Sequence, residues 1–202
     1  MHNSMPGQDN FFKLACLFEA SLALVALLLG WIFDIDPFNN LKFSETALAN
    51  GILATLPLLL LFFIMQELPY APIRKIKALL LETLGSRLYR CDWSDMLILA
   101  GIAGFSEEAL FRGLLQPWLE QLTDMTWGLL LSNVVFALVH AVTPLYTLLA
   151  MLMGLYLGAC LDYGGERNLL NPILVHALYD FVAFIVILRQ YRNSLNTPDA
   201  TH

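Results

Sequence analysis

The sequence predicts an all-α, polytopic helical membrane protein with about six transmembrane helices and one basic amphipathic interfacial helix. Three observations carry this reading. Of 202 residues, 58% are hydrophobic and only 14% charged, with a mean hydropathy of +0.64, which is too apolar for a water-soluble domain of this length. Apolar runs of about twenty residues, enough for ~30 Å of helix at 1.5 Å per residue, recur along the chain. Basic residues gather in one segment, 69–90, between the second and third of these runs.

Taken in order, residues 14–33 are apolar except for Glu19 and form the first span, closed by Asp34-Ile35-Asp36-Pro37. The run lacks a small-residue cleavage site in the usual place, so it reads as a permanent span and not a signal peptide. Residues 46–65 carry no charge, and Pro57 inside them should bend the second span, which a helix bundle tolerates. In 69–90, Arg74, Lys75, Lys77, Arg87 and Arg90 alternate with Ile73, Ile76, Leu79, Leu80, Leu84 and Leu88. That pattern suits a helix lying on an anionic membrane surface, or equally a solvated connector made basic by topology. The third span covers 95–118. Residues 125–161 contain no Asp, Glu, Lys or Arg, too long a stretch for one span, and Thr143-Pro144 divides it into the fourth and fifth. Gly154-x-x-x-Gly158 in the fifth permits close helix contact. Asn171-Pro172 opens the sixth span, which runs to about residue 188 before a polar tail. Basic residues follow the second and sixth spans, whereas the loops after the first and third are acidic. The expected location is therefore an integral protein of a bacterial-type plasma membrane with both termini cytoplasmic.

The net charge of -6 and the pI of about 5.1 argue against nucleic acid, and no Gly-rich phosphate loop or basic aromatic patch opposes them. The expected partners are the lipid bilayer and a protein or peptide substrate, with no nucleic acid. Cys16, Cys91 and Cys160 match no metal-ligand spacing and read as reduced structural thiols.

Chemistry concentrates in the third span, where Glu107, Glu108 and Arg112 interrupt apolar sequence. Ionisable residues at the membrane centre cost about 2.5–3.5 kcal/mol each on insertion scales, so they face a protein interior or a wet cavity. Glu108 and Arg112 at i,i+4 can pair, whereas Glu107 lies about 100° away and is left free. Glu108 with Arg112 is read as a structural ion pair that sets the field around Glu107. Ser132, Phe136 and His140 share one face of the fourth span, and His176 and Asp180 share one face of the sixth. Counted from the outer span ends, Glu107, His140 and His176 lie about 16, 20 and 12 Å deep, nearly one level. Glu19 has no evident partner and either belongs to a proton path or sits near an interface. No Ser–His dyad is clearly presented, so water is the simpler nucleophile. Glu107 would act as general base on a water also held by His140, while His176 with Asp180 steadies the oxyanion of an attacked carbonyl. Amide hydrolysis in or beside the membrane is the natural reaction.

Glu-Glu-x-x-x-Arg at Glu107, Glu108 and Arg112, Phe-x-x-x-His at Phe136 and His140, and His-x-x-x-Asp at His176 and Asp180 resemble the motifs of the CAAX prenyl protease 2 (CPBP, or ABI) family of glutamic intramembrane proteases. The resemblance covers roughly 95–188. It implies Glu107 and His140 as the water-activating pair and His176 and Asp180 as the oxyanion hole, with Glu108, Arg112 and Phe136 supporting. It also implies a division into a two-span region with a basic connector (1–92), a catalytic core (93–190) and a polar tail (191–202). The family's last motif most often ends in Asn, which can donate to an oxyanion. Asp180 donates only if protonated, and otherwise orients His176. Glu107, His140, His176 and Asp180 would also make a zinc set, but no His-x-x-x-His or Glu-x-x-His pair anchors an ion, and a reaction without cofactor or metal is favoured. The rival reading is a non-proteolytic membrane partner or scaffold, for example of the immunity type. A proton-coupled carrier is weaker, for lack of internal repeats.

Overall fold

The computed structural model describes residues 8–196, and every regular element among them is helical. The order is α1 (Gln8–Phe33), α2 (Glu45–Glu67), α3 (Ala71–Leu80), a π-helical turn (Leu81–Gly85) leading into α4 (Ser86–Leu88), α5 (Trp93–Glu108), a second π-helical turn (Ala109–Leu115), α6 (Gln116–Leu122), α7 (Met125–Val139), α8 (Pro144–Leu161) and α9 (Leu170–Asn196). Among these, α1, α2, α8 and α9 are long and apolar enough to cross a membrane, and α7 is apolar but shorter. Large side chains such as Leu17, Phe18 and Trp31 on α1 and Leu53 and Leu60 on α2 are exposed, Trp31 by 84%. Lipid accepts such a surface, whereas water would not. The protein is an all-α polytopic membrane protein.

Local chemistry places the helix starts. Ser44 Oγ accepts from the Ala47 amide at 3.1 Å, Asp124 Oδ1 accepts from Thr126 and Trp127 at 2.8 and 2.9 Å, and Thr143 Oγ1 accepts from Tyr146 at 3.2 Å ahead of Pro144. Each satisfies amides that the first turn leaves without helical partners. Asp92 and Asp95 form a capping box at the head of α5. Helix α9 opens at Leu170 instead of Asn171, because Asn168 Oδ1 accepts from the Leu170 amide at 3.0 Å. It also runs on to Asn196, past the end expected near residue 188. Arg192 holds that extension by donating to the carbonyls of Tyr89 and Cys91, both at 2.9 Å. The outermost residues of the expected polar start (1–10) and tail (191–202), namely 1–7 and 197–202, lie outside the described residues.

Packing centres on α9, which lies against α5, α2 and α8, while α5 also packs on α1 and α7 joins α6 to α8. Gly104 brings α5 and α9 into backbone contact: a Cβ there would stand 2.8 Å from the Ala177 nitrogen. On α3, Ile73 and Ile76 are buried against the protein while Arg74 and Lys75 are exposed. The connector is fastened further by Arg87, whose guanidinium lies 5.1 Å from the Phe11 ring centroid, and by Leu88 and Met96 packed against Leu188. At the opposite end, Arg167 binds Asp162 at 2.8 and 2.9 Å and Glu120 at 2.6 and 3.1 Å. Its hydrogen bonds to the Asp162 and Glu120 carboxylates hold the guanidinium charged to well above its usual range.

Because Gly104 sets the α5–α9 separation, Gly104→Leu should force these helices apart and cost about 1–3 kcal/mol. Thermal unfolding of the detergent-solubilised variant checks this; an unchanged melting temperature would contradict the close contact.

Candidate active site

Three helices deliver the polar side chains marked in the sequence. Glu107 and Glu108 end α5, His140 follows the last residue of α7, and His176 and Asp180 lie one turn apart on α9. Their helical offset separates the two acids. Glu107 is 8% exposed, and its Oε2 lies 3.5 Å from His140 Nε2 with no hydrogen-bond partner. Glu108 is fully buried and turns the other way, its Oε1 accepting from Arg112 Nη1 at 3.0 Å and from His176 Nδ1 at 2.8 Å. His176 Nε2 then faces Asp180 Oδ2 at 3.5 Å. The Phe136 ring borders both groups, its centroid 4.3 Å from that of His140 and 6.4 Å from that of His176.

The tautomers follow from the acceptors. His140 Nδ1 stands 2.8 Å from the Phe136 carbonyl, so Nδ1 donates and Nε2 offers its lone pair toward Glu107. Glu108 only accepts, so His176 Nδ1 donates to it. The His140 ring is held against the Phe136 ring at a centroid distance of 4.3 Å and an interplanar angle of 29°. On Phe136 the Arg112 guanidinium also lies 4.6 Å from the centroid. One aromatic ring thereby fixes a histidine and a buried cation, and the Phe111 edge, 5.0 Å away, steadies it.

Arg112 is 1% exposed, and a guanidinium sealed from water needs more than one acceptor. Its Nη2 donates to Asn133 Oδ1 at 3.0 Å and to the Gly154 carbonyl at 2.7 Å. Asn133 was not singled out in the sequence. The available signal was the count of donors: Glu108 could not satisfy five N–H groups, and Asn133 is a buried polar residue of the facing span. Gly154, noted for close helix contact, supplies that carbonyl because no side chain intervenes. Ser132 is buried and donates its hydroxyl to the Leu129 carbonyl at 3.0 Å, so it is engaged away from His140. The π-helical turn Ala109–Leu115 begins directly after Glu108, and such turns often interrupt helices at functional sites. No group of three or more His, Cys, Asp or Glu side chains that could hold a metal ion is found among the described residues.

Residues 90–182 match the model of a family described as type II CAAX prenyl endopeptidase Rce1-like. No curated protein and no solved structure matches the chain.

Removing one partner of a buried ion pair strands the other, at a cost of about 3–5 kcal/mol, whereas replacing both is often nearly neutral. Arg112→Met should therefore lower the melting temperature strongly, and Arg112→Met combined with Glu108→Gln should recover much of that loss. Thermal denaturation of the two purified variants checks this.

Proposed function

We propose that the chain is a CAAX-type intramembrane endopeptidase, like the family that residues 90–182 match, and that it works by a glutamic, metal-free hydrolysis carried by Glu107, His140, His176 and Asp180. The observation that supports it best is the pairing of two acceptors, Glu107 Oε2 and His140 Nε2, at 3.5 Å. A water molecule has two protons to give, one to each acceptor, and this leaves its lone pair directed at a carbonyl. The water oxygen bonds to the carbonyl carbon, its proton passes to Glu107, and the carbonyl electron pair moves onto oxygen. His176 then stabilises that oxyanion with an Nε2 proton, while its Nδ1–H continues to donate to Glu108. Asp180, 3.5 Å from Nε2, favours the doubly protonated ring and orients it. Collapse breaks the C–N bond, and the amine leaves with the proton held by Glu107. The water's second proton then passes from the new carboxylic acid to the amine, so the products are a carboxylate and an ammonium. No step passes through zinc.

The substrate in this proposal is the C-terminal or membrane-adjacent segment of another protein. The half-exposed His140 and Asp180 leave the pair open on one side, whereas Glu108 and Arg112 are sealed. The basic connector would face the cytoplasm together with both termini, so the substrate would approach a site lying between the α7 end and α9.

Glu107→Gln preserves shape and removes the base. It should reduce cleavage by roughly 10²–10⁴-fold with melting behaviour unchanged. Membrane-associated peptides from cells carrying either form give the readout. A folded variant that still supports the cellular phenotype would favour the scaffold reading. Asp180→Asn should retain activity, since the Asn amide can donate to the oxyanion, whereas Asp180→Leu should lose it. Exhaustive chelation should leave turnover unchanged, with the metal content followed in the same sample.

A further inference from the structure

A groove of about 540 Å³ runs along the seam between α1 and α5. Ala20 and Ala23 form one wall, Leu97, Gly101 and Phe105 the other, and it reaches Ser106, the residue before Glu107. Leu97 and Phe105 are exposed, so the groove opens outward from the bundle, on a face that meets lipid. Its two glycine neighbours on α5 differ in what they do. A Cβ at Gly104 would crowd the Ala177 backbone, whereas one at Gly101 would meet nothing within 4 Å. No neighbour requires glycine at 101, although glycine weakens a helix. What the missing side chain provides is room. Water does not fill an apolar gap, and walls left without neighbours lose their dispersion contacts. A hydrocarbon chain restores those contacts.

The groove has a polar mouth. Both helices start at the same end of the bundle, since Phe12 and Cys16 pack on the cluster that holds Met96 and Leu99, while Phe33 stacks on Trp118 at the other end. At the starting end, Lys13 lies two turns before Ala20 on the same face of α1, and Trp93 lies one turn before Leu97 on α5. Both side chains are exposed. Trp and Lys so placed mark the level where hydrocarbon gives way to headgroups. Asp92 and Asp95, the capping box of α5, stand beside Trp93. The mouth therefore carries one ammonium and two carboxylates. A purely anionic headgroup would meet more negative charge than positive. A zwitterion answers both signs, its phosphate toward Lys13 and its cation toward the aspartates, and a primary ammonium adds three N–H donors.

We propose that the α1–α5 groove binds one zwitterionic aminophospholipid, with an acyl chain between Ala20 and Gly101 and its ethanolamine phosphate held at Lys13, Asp92 and Asp95. The chain seals the seam beside the stretch of α5 that carries Glu107 and Glu108. The site stands apart from the protease reading and is tested without turnover.

Delipidated full-length protein in a non-ionic detergent is mixed with equal amounts of palmitoyl-oleoyl phosphatidylethanolamine, phosphatidylcholine and phosphatidylglycerol, and native mass spectrometry reads the complex with one lipid. The ethanolamine lipid should exceed each of the others by about threefold, the scale of an exposed ion pair. Gly101→Phe fills the groove and should lower the one-lipid complex about tenfold for all three lipids, whereas Gly101→Ala should retain most of it. Asp92→Asn keeps a residue that caps the helix and should erase the preference over phosphatidylglycerol. Equal occupancy by the three lipids, a predominance of phosphatidylglycerol in the unaltered protein, or a one-lipid complex that survives Gly101→Phe overturns the proposal. So does a dimer that forms on delipidation and is lost in Gly101→Phe, because a second copy of the chain would then be the occupant. The headgroup ratios of the unaltered protein and of Asp92→Asn decide the matter even if Gly101→Phe fails to fold.

Discussion

A guanidinium sealed inside an apolar bundle is the constraint around which this molecule is arranged. Arg112 is 1% exposed and has no water to satisfy it, so its N–H groups must be met by protein. They are met by Glu108 from the preceding turn, Asn133 from α7 and the Gly154 carbonyl from α8, with the Phe136 ring beneath the plane. Glu108 then reaches His176 on α9. One cation therefore ties four segments of chain together, and a shift in any of them would leave a buried charge unmatched.

This knot also divides the work of the two adjacent acids. Glu108 is consumed by Arg112 and His176, and its neighbour, turned about 100° away on the helix, keeps an oxygen available. Had the two carboxylates shared a face, both would have competed for Arg112. The end of α7 adds the second element. The helix stops at Val139, and His140 takes a non-helical conformation with φ -97° and ψ 13°. Its side chain can therefore fold back to the Phe136 carbonyl while Nε2 faces Glu107.

Much of this was legible from residue order. Hydrophobicity and run length gave an all-α membrane protein, because the cost of exposing peptide groups to lipid leaves few alternatives. The i,i+4 spacings paired Glu108 with Arg112 and His176 with Asp180, since helix geometry is a local property. The Asn171-Pro172 start fell within a residue of the opening of α9 at Leu170, and the Thr143-Pro144 break stands at the head of α8.

What residue order could not supply was which spans touch and at what rotation. The Glu108–His176 bond joins positions 68 apart, and the Arg112–Asn133 bond positions 21 apart. Neither separation has a period. The π-helical turn after Glu108 changes the rotation of everything beyond it and has no composition signal. The sequence by itself determined the helices, their apolar faces and the local pairs, because these follow from backbone periodicity and from the exclusion of polar groups from oil. The tertiary structure alone decided which acid is consumed and which is left facing a histidine, because that depends on how helices distant in sequence meet to share one buried charge.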